Sequence, residues 1–110
     1  MVIQNWSDKI IMADLADDPE LTDDLVALAE RLEQEPKDTL INFAAVRFLN
    51  SSNISRLLKL RKIILDSNKR LCLCGIVIQV WGVFLLTGLD SLFDVVEDTS
   101  TALASLQIIK

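Results

Sequence analysis

From Leu71 to Leu89 the chain carries only Gln79 and Thr87 as clearly polar side chains, with Lys69-Arg70 before the run and Asp90 after it. About nineteen apolar residues with basic flanking is near the length of a helix that crosses a bilayer. The same residues also read as a buried strand (Leu71 to Cys74), a turn at Gly75 and a short buried helix. Gly75, Gly82 and Gln79 interrupt the run, and amphipathic elements flank it on both sides. The balance therefore falls on a strand and helix inside a core, which the rest of the chain must then cover.

That remainder is suited to cover it. Lys9 to Leu15 is a short apolar, β-branched run that reads as a strand, and Val2 to Trp6 can pair with it. After Asp17-Asp18-Pro19, the residues Leu21, Leu25, Leu28 and Leu32 recur at helical spacing, with Asp23-Asp24 suited to a helix start and Thr22 to a cap. Pro36 ends that helix. Thr39 to Leu49 reads as a buried strand and the loop after it.

Asn50-Ser51-Ser52-Asn53 is a cluster of capping residues that opens a second helix. On that helix Ile54, Leu57, Leu58, Ile64 and Leu65 share an apolar face, Arg56, Lys59 and Lys62 share a basic one, and Arg61 falls inside the apolar stripe. Gly88 is placed to stop the third helix. Asp94 to Glu97 is a short strand, and Thr99 or Ser100 caps a last helix carrying Ala102, Leu103 and Leu106. The spacing predicts helices near 21–34, 52–66, 77–87 and 99–107. Strands alternating with helices predict an α/β fold, a four- to five-stranded mixed sheet with about four helices.

The 110 residues have room for a single domain, 1–110, and about half are apolar, enough for a core. The net charge of −5 argues against nucleic acid, which requires a basic face. With no histidine and no tyrosine, Ser-His-Asp and Cys-His catalysis and imidazole metal ligation are excluded. No nucleophile–base pair or metal cluster stands out, so no enzyme, cofactor or metal is expected. Cys72 and Cys74 are too close along the chain for easy disulfide geometry, and two thiols alone do not make a zinc site. They read as reduced core residues of a cytoplasmic protein, and Met1 to Trp6 shows no secretory signal.

Two segments resemble the STAS domain family of anti-sigma factor antagonists. Leu40-Ile-Asn-Phe-Ala-Ala-Val-Arg-Phe-Leu-Asn-Ser-Ser-Asn-Ile54 is similar to the family's apolar strand followed by Asp-Ser-Ser-Gly-Leu at a helix start. Leu86-Thr-Gly-Leu-Asp-Ser-Leu-Phe93 is similar to its Leu-Thr-Gly-Leu-x-x-Leu-Phe, and Asp18-Pro19-Glu20-Leu21 to the Ala-Pro-Glu-Leu that opens the first helix. The signature departs from the family's at Asn50, which stands for Asp, and at Asn53, which stands for Gly.

The resemblance implies a non-enzymatic interaction domain in a phosphorylation-controlled partner switch, its partner a kinase that is also an anti-sigma factor. Ser51 occupies the position that receives phosphate in phosphorylatable members. The expected partner surface is Asn50, Ser51, Ser52 and Asn53 with Leu60, Arg56 and Lys59. Helix capping is the alternative role for Ser51 or Ser52. The alternative function is a non-phosphorylated scaffold or accessory subunit of a signalling or lipid-transport complex.

The helix after Gly75 carries a further signal. Val80, Val83, Phe84 and Thr87 form the face expected in the core, and Ile78, Trp81 and Leu85 the opposite one. An outward apolar face of that kind marks an interface, here a homo-oligomer or a second protein domain, unless the chain's own N-terminal segment or a loop folds over it.

Overall fold

The computed structural model describes residues 1–108. Its elements run β1 (Val2–Asn5), β2 (Ile10–Asp14), α1 (Leu21–Gln34), β3 (Asp38–Asn42), α2 (Ser51–Asp66), β4 (Leu71–Cys74), α3 (Ile78–Thr87), a 3₁₀ turn at Leu89–Ser91, β5 (Asp94–Val96) and α4 (Thr99–Ile108). The five strands form one sheet in the order β1-β2-β3-β4-β5. β1 is antiparallel to β2, and every later pair is parallel, with Ile11 opposite Thr39, Leu40 opposite Cys72 and Leu73 opposite Val95. Parallel neighbours require a crossover, and α1, α2 and α3 supply three of them.

Strand alternation sorts the side chains onto two faces. Ile11, Ala13, Ile41, Phe43 and Leu73 point toward α1, α2 and α3 and build the larger core. Ile10, Leu40, Cys72 and Cys74 point the other way, under Ala102, Leu103 and Leu106 of α4. The apolar run from Leu71 to Leu89 is thus divided between β4, the turn at Gly75 and α3. Among the described residues no helix is long and apolar enough to cross a membrane.

The element ends have local causes. α1 stops just before the Glu35–Pro36 step, where proline disfavours a helical predecessor. α2 ends at Ser67, with Asn68 in the left-handed region at φ 59°. Gly88 at φ 78° closes α3.

Four side chains face the other way from the expectation. On α2 the buried residues are Asn53, Leu57, Leu60 and Ile64, so Leu60 is core and Leu65 is exposed. Arg61, anomalous in the sequence, sits at the margin of that stripe, with Nε donating to the Leu92 carbonyl at 2.8 Å and the guanidinium 5.9 Å from the Phe93 ring centroid. On α3, Val80 and Phe84 are buried, but Thr87 is exposed and Trp81 turns inward, stacked on Phe84 at 5.9 Å. The outward apolar residues of α3 are Ile78 (83% exposed), Leu85 and Leu86 (90%), so Leu86 takes the place assigned to Trp81.

Candidate functional site

The four parallel strands all end at the same rim of the sheet, and the loop after β3 delivers the chain from that rim to the start of α2. Phe43 N–H donates to the Cys74 carbonyl at 2.9 Å, and Val46 N–H returns to the Phe43 carbonyl at 2.9 Å. Phe43, Val46 and Leu49 are buried and peg the loop to the core. Ala44, Ala45 and Phe48 face solvent, Phe48 at 62%. Phe48 was not among the sequence-derived candidates. No period marks it, since Val46 and Phe48 stand at strand spacing and yet one turns inward and the other outward.

Asn50, not Ser51 or Ser52, caps α2. Its side-chain oxygen accepts from Asn53 N–H at 2.8 Å, while the Asn53 side-chain oxygen accepts from Asn50 N–H at 3.0 Å, a reciprocal capping box. Ser51 is therefore the first helical residue. It is exposed, and its hydroxyl has no hydrogen-bond partner among the described residues. The N–H groups of Ser51 and Ser52 belong to the first turn and have no partner inside the helix.

Asn53 is fully buried (0% exposed), which removes it from any partner surface. Its amide donates to Thr22 Oγ1 at 2.8 Å and to Asp18 Oδ1 at 3.5 Å. Asp18 Oδ2 in turn accepts from Asn50 Nδ2 at 3.2 Å. Thr22, read as a candidate cap for α1, instead accepts a bond from α2. Leu60, also 0% exposed, leaves the partner surface for the same reason. Of the expected surface, Asn50, Ser51, Ser52, Arg56 and Lys59 are exposed, and Phe48 lies beside them in the chain. Arg56 and Lys59 also line a groove between α1 and α2 that carries Glu30 and Glu33 on its other wall.

Behind this end of α2, the strand rim carries its own polar set. Asn42 Nδ2 donates to Asp14 Oδ1 at 3.0 Å, and Asn42 Oδ1 accepts from Ala44 N–H at 3.0 Å. Gly75, at φ 69°, packs so close that a Cβ there would stand 2.5 Å from Asn42 Oδ1. Asp14 and Asp18 thus act as acceptors for asparagine side chains. Cys74 lies just before Gly75, fully buried, and burial, followed by the neighbouring Cys72 sulfur, pushes its thiol up to about 11. Neither cysteine is in a disulfide.

A five-stranded mixed sheet, three helices on one face, one on the other, and a helix that opens on an exposed serine after the third strand together define the α/β architecture of STAS domains. The chain belongs to that family: the STAS domain model matches residues 18–102. A comparison with curated protein sequences finds no match. Among solved structures, an anti-sigma-factor antagonist (STAS) domain protein from Planctomyces limnophilus is similar, with TM-score 0.81 and 17% identity over 96% of this chain and 97% of that one. A Thermotoga maritima protein assigned to the anti-sigma factor antagonists matches at TM-score 0.83 and 14% identity, covering 96% and 93%. The anti-sigma factor antagonist SpoIIAA in its unphosphorylated form matches at TM-score 0.72 and 14% identity, covering 98% of both chains. The Bacillus cell fate determinant SpoIIAA in its phosphorylated form matches at TM-score 0.71 and 14% identity, covering 94% of this chain and 96% of that one. At these identities the likeness is one of fold.

Proposed function

We propose that this chain is a non-enzymatic interaction domain of the anti-sigma factor antagonist type, whose hold on its partner is switched by phosphorylation of Ser51. The observation that carries the reading is the division of roles at the start of α2. Asn50 caps the helix, and Ser51 keeps an exposed hydroxyl free of any partner among the described residues. A phosphate on it meets the unpaired amides and positive dipole end of the first turn, so the domain itself tolerates the charge. What changes is the docking surface. About two negative charges and the bulk of a phosphate arrive beside Asn50, Ser52 and Phe48, on the helix that carries Arg56 and Lys59.

The partner on this reading is a cytoplasmic kinase that is also an anti-sigma factor, and the output is transcription. Membership of the STAS family and the fold likeness to SpoIIAA, known in both phosphorylation states, support it. The test is capture of a kinase candidate encoded beside this gene by the full chain. Wild type and Ser51→Ala are expected to bind alike and Ser51→Asp to bind much more weakly, with ATP-dependent phosphate found on Ser51 by mass spectrometry. Equal capture by all three, with no phosphate on Ser51, overturns the switch.

Ile78, Leu85 and Leu86 on α3 favour a second reading, an unphosphorylated accessory subunit held permanently in a signalling or lipid-transport assembly. A partner that copurifies with the chain whatever residue stands at position 51, and is lost in Leu86→Asp, is the outcome that selects it.

A further inference from the structure

At the end of α2 opposite Ser51 lies a cavity of about 260 Å³ whose walls combine cations with apolar side chains. The sixteen residues of α2 separate the two ends by about 24 Å. Arg61, Lys69 and Arg70 supply the charge, against the single carboxylate of Asp94, a local excess of two positive charges in a chain of net charge −5. Leu65, Leu71, Leu92 and Phe93 supply the apolar wall.

The two arginines are held by hydrogen bonds and the lysine is not. Arg61 donates through Nε to the Leu92 carbonyl at 2.8 Å, which leaves its two terminal nitrogens without a protein acceptor among the described residues. Arg70 lines the cavity but carries its guanidinium to the α4 side of the sheet, where it donates to the Ser105 carbonyl at 3.1 Å. The Lys69 side chain makes no hydrogen bond or ion pair among the described residues, although its backbone N–H is tied to the Ile64 carbonyl at 3.1 Å. The anchored Arg61 guanidinium and a free ammonium beside an apolar recess suit a planar anion with an apolar body. The volume falls just below the range of roughly 300–1,000 Å³ common for ligand pockets, so the occupant is small.

We infer that this cavity is a binding site for a small amphipathic carboxylate, its carboxylate toward Arg61 and Lys69 and its apolar part against Leu92 and Phe93. The site is independent of Ser51 and lies far from it.

The probe is phenylacetate, titrated into the full chain and followed by two-dimensional NMR of backbone amides and arginine Nε–H groups. Saturable shifts are expected at Arg61, Arg70, Leu92 and Phe93. The neutral isostere phenylacetamide tests the charge, and inorganic phosphate tests the apolar wall. Each is expected to bind about tenfold more weakly or worse, as is phenylacetate to Lys69→Gln. Because the Lys69 side chain holds nothing in the fold, that variant isolates charge from stability, which Arg61→Gln does not. The inference is overturned by an absence of saturable shifts at the cavity, by phenylacetamide or phosphate binding as well as phenylacetate, or by unchanged affinity in Lys69→Gln.

Discussion

Asn53 Nδ2 donates to Thr22 Oγ1 at 2.8 Å, so the first turn of α2 is fastened to the first turn of α1 by one buried side chain. The same residue closes the capping box with Asn50. Asn53→Ala therefore keeps the Asn50 cap but removes the reciprocal half of the capping box, and leaves half-buried Thr22 without its partner. A loss of about 2–3 kcal/mol follows from the hydrogen bonds and packing lost at a fully buried side chain. Urea unfolding at neutral pH measures it, and a loss under about 1 kcal/mol contradicts the anchoring role.

Ser51 makes the opposite forecast. Its hydroxyl is bound to nothing among the described residues, so Ser51→Ala should change stability by no more than about 0.5 kcal/mol. Ser51→Asp places a negative charge in the first turn and should stabilise by about 0.3–1 kcal/mol. On the proposed function the same variant weakens partner binding. Stability rising while binding falls separates a switch from a structural defect, and thermal unfolding alongside affinity measurement reads both. An Asp variant that is clearly destabilised overturns the first half.

These two neighbouring residues show what the sequence makes legible and what it withholds. Strand and helix alternation, and the helix starts near 21, 52, 77 and 99, follow from apolar period and punctuation, and they match the observed elements to within a residue. Which of Asn50, Ser51 and Ser52 caps α2 does not follow, because all three are good caps. Reciprocity with Asn53, a tertiary contact with Thr22, selects Asn50. Leu60 is expected at the partner surface together with Arg56 and Lys59, but it is fully buried in the larger core. α3 is apolar on nearly every side, so no periodic contrast marks its buried face. There the sequence gives no signal to choose Trp81 over Leu86, and only the rings of Phe84 and Trp81 in contact do.

Gly75 and Gly88 offer a controlled comparison, since both hold positive φ. A Cβ at Gly88 meets open space, so Gly88→Ala should cost only the left-handed backbone penalty, about 1–2 kcal/mol. At Gly75 the Cβ would also stand 2.5 Å from Asn42 Oδ1. Asn42 cannot swing aside without breaking its bonds to Ala44 and Asp14. Gly75→Ala should thus cost at least about 2 kcal/mol more than Gly88→Ala. Equal denaturation midpoints for the two variants would show that the rim gives way.

Trp81 and Leu86 lie on one helix and should respond oppositely. Trp81 is half-buried and stacked on Phe84, whose ring in turn meets Phe43 and Phe93. Trp81→Ala should cost about 2–3 kcal/mol, below the usual range for a fully buried tryptophan. Leu86 is 90% exposed, and Leu86→Ser should stay within about 0.5 kcal/mol. Thermal unfolding of both variants tests the observed rotation of α3, which a larger loss in Leu86→Ser would contradict.

Cys74 links stability to alkaline pH. Burial first, and then the adjacent Cys72 sulfur, raise its thiol from 9.0 to about 11, against the opposing effect of a hydrogen bond with Thr99. Below pH 9 the thiol is protonated in both folded and unfolded chains and contributes no pH dependence. Between pH 9 and 11 the unfolded chain releases this proton and the folded chain keeps it, so stability falls as pH rises. At about 1.4 kcal/mol per unit of displacement, the loss by pH 11 is on the order of 2 kcal/mol. Cys72, raised by burial and by Asp94, adds in the same direction. Cys74→Ala loses some packing at pH 7 but should show a flatter decline above pH 9, because the proton that distinguishes the two states is gone. Every other group is common to both proteins and cancels in the comparison. Urea midpoints at pH 7, 9 and 10.5 measure the difference. Parallel declines for wild type and Cys74→Ala would mean that the thiol ionises in the fold as readily as in the unfolded chain, and that the core under α4 is open to water.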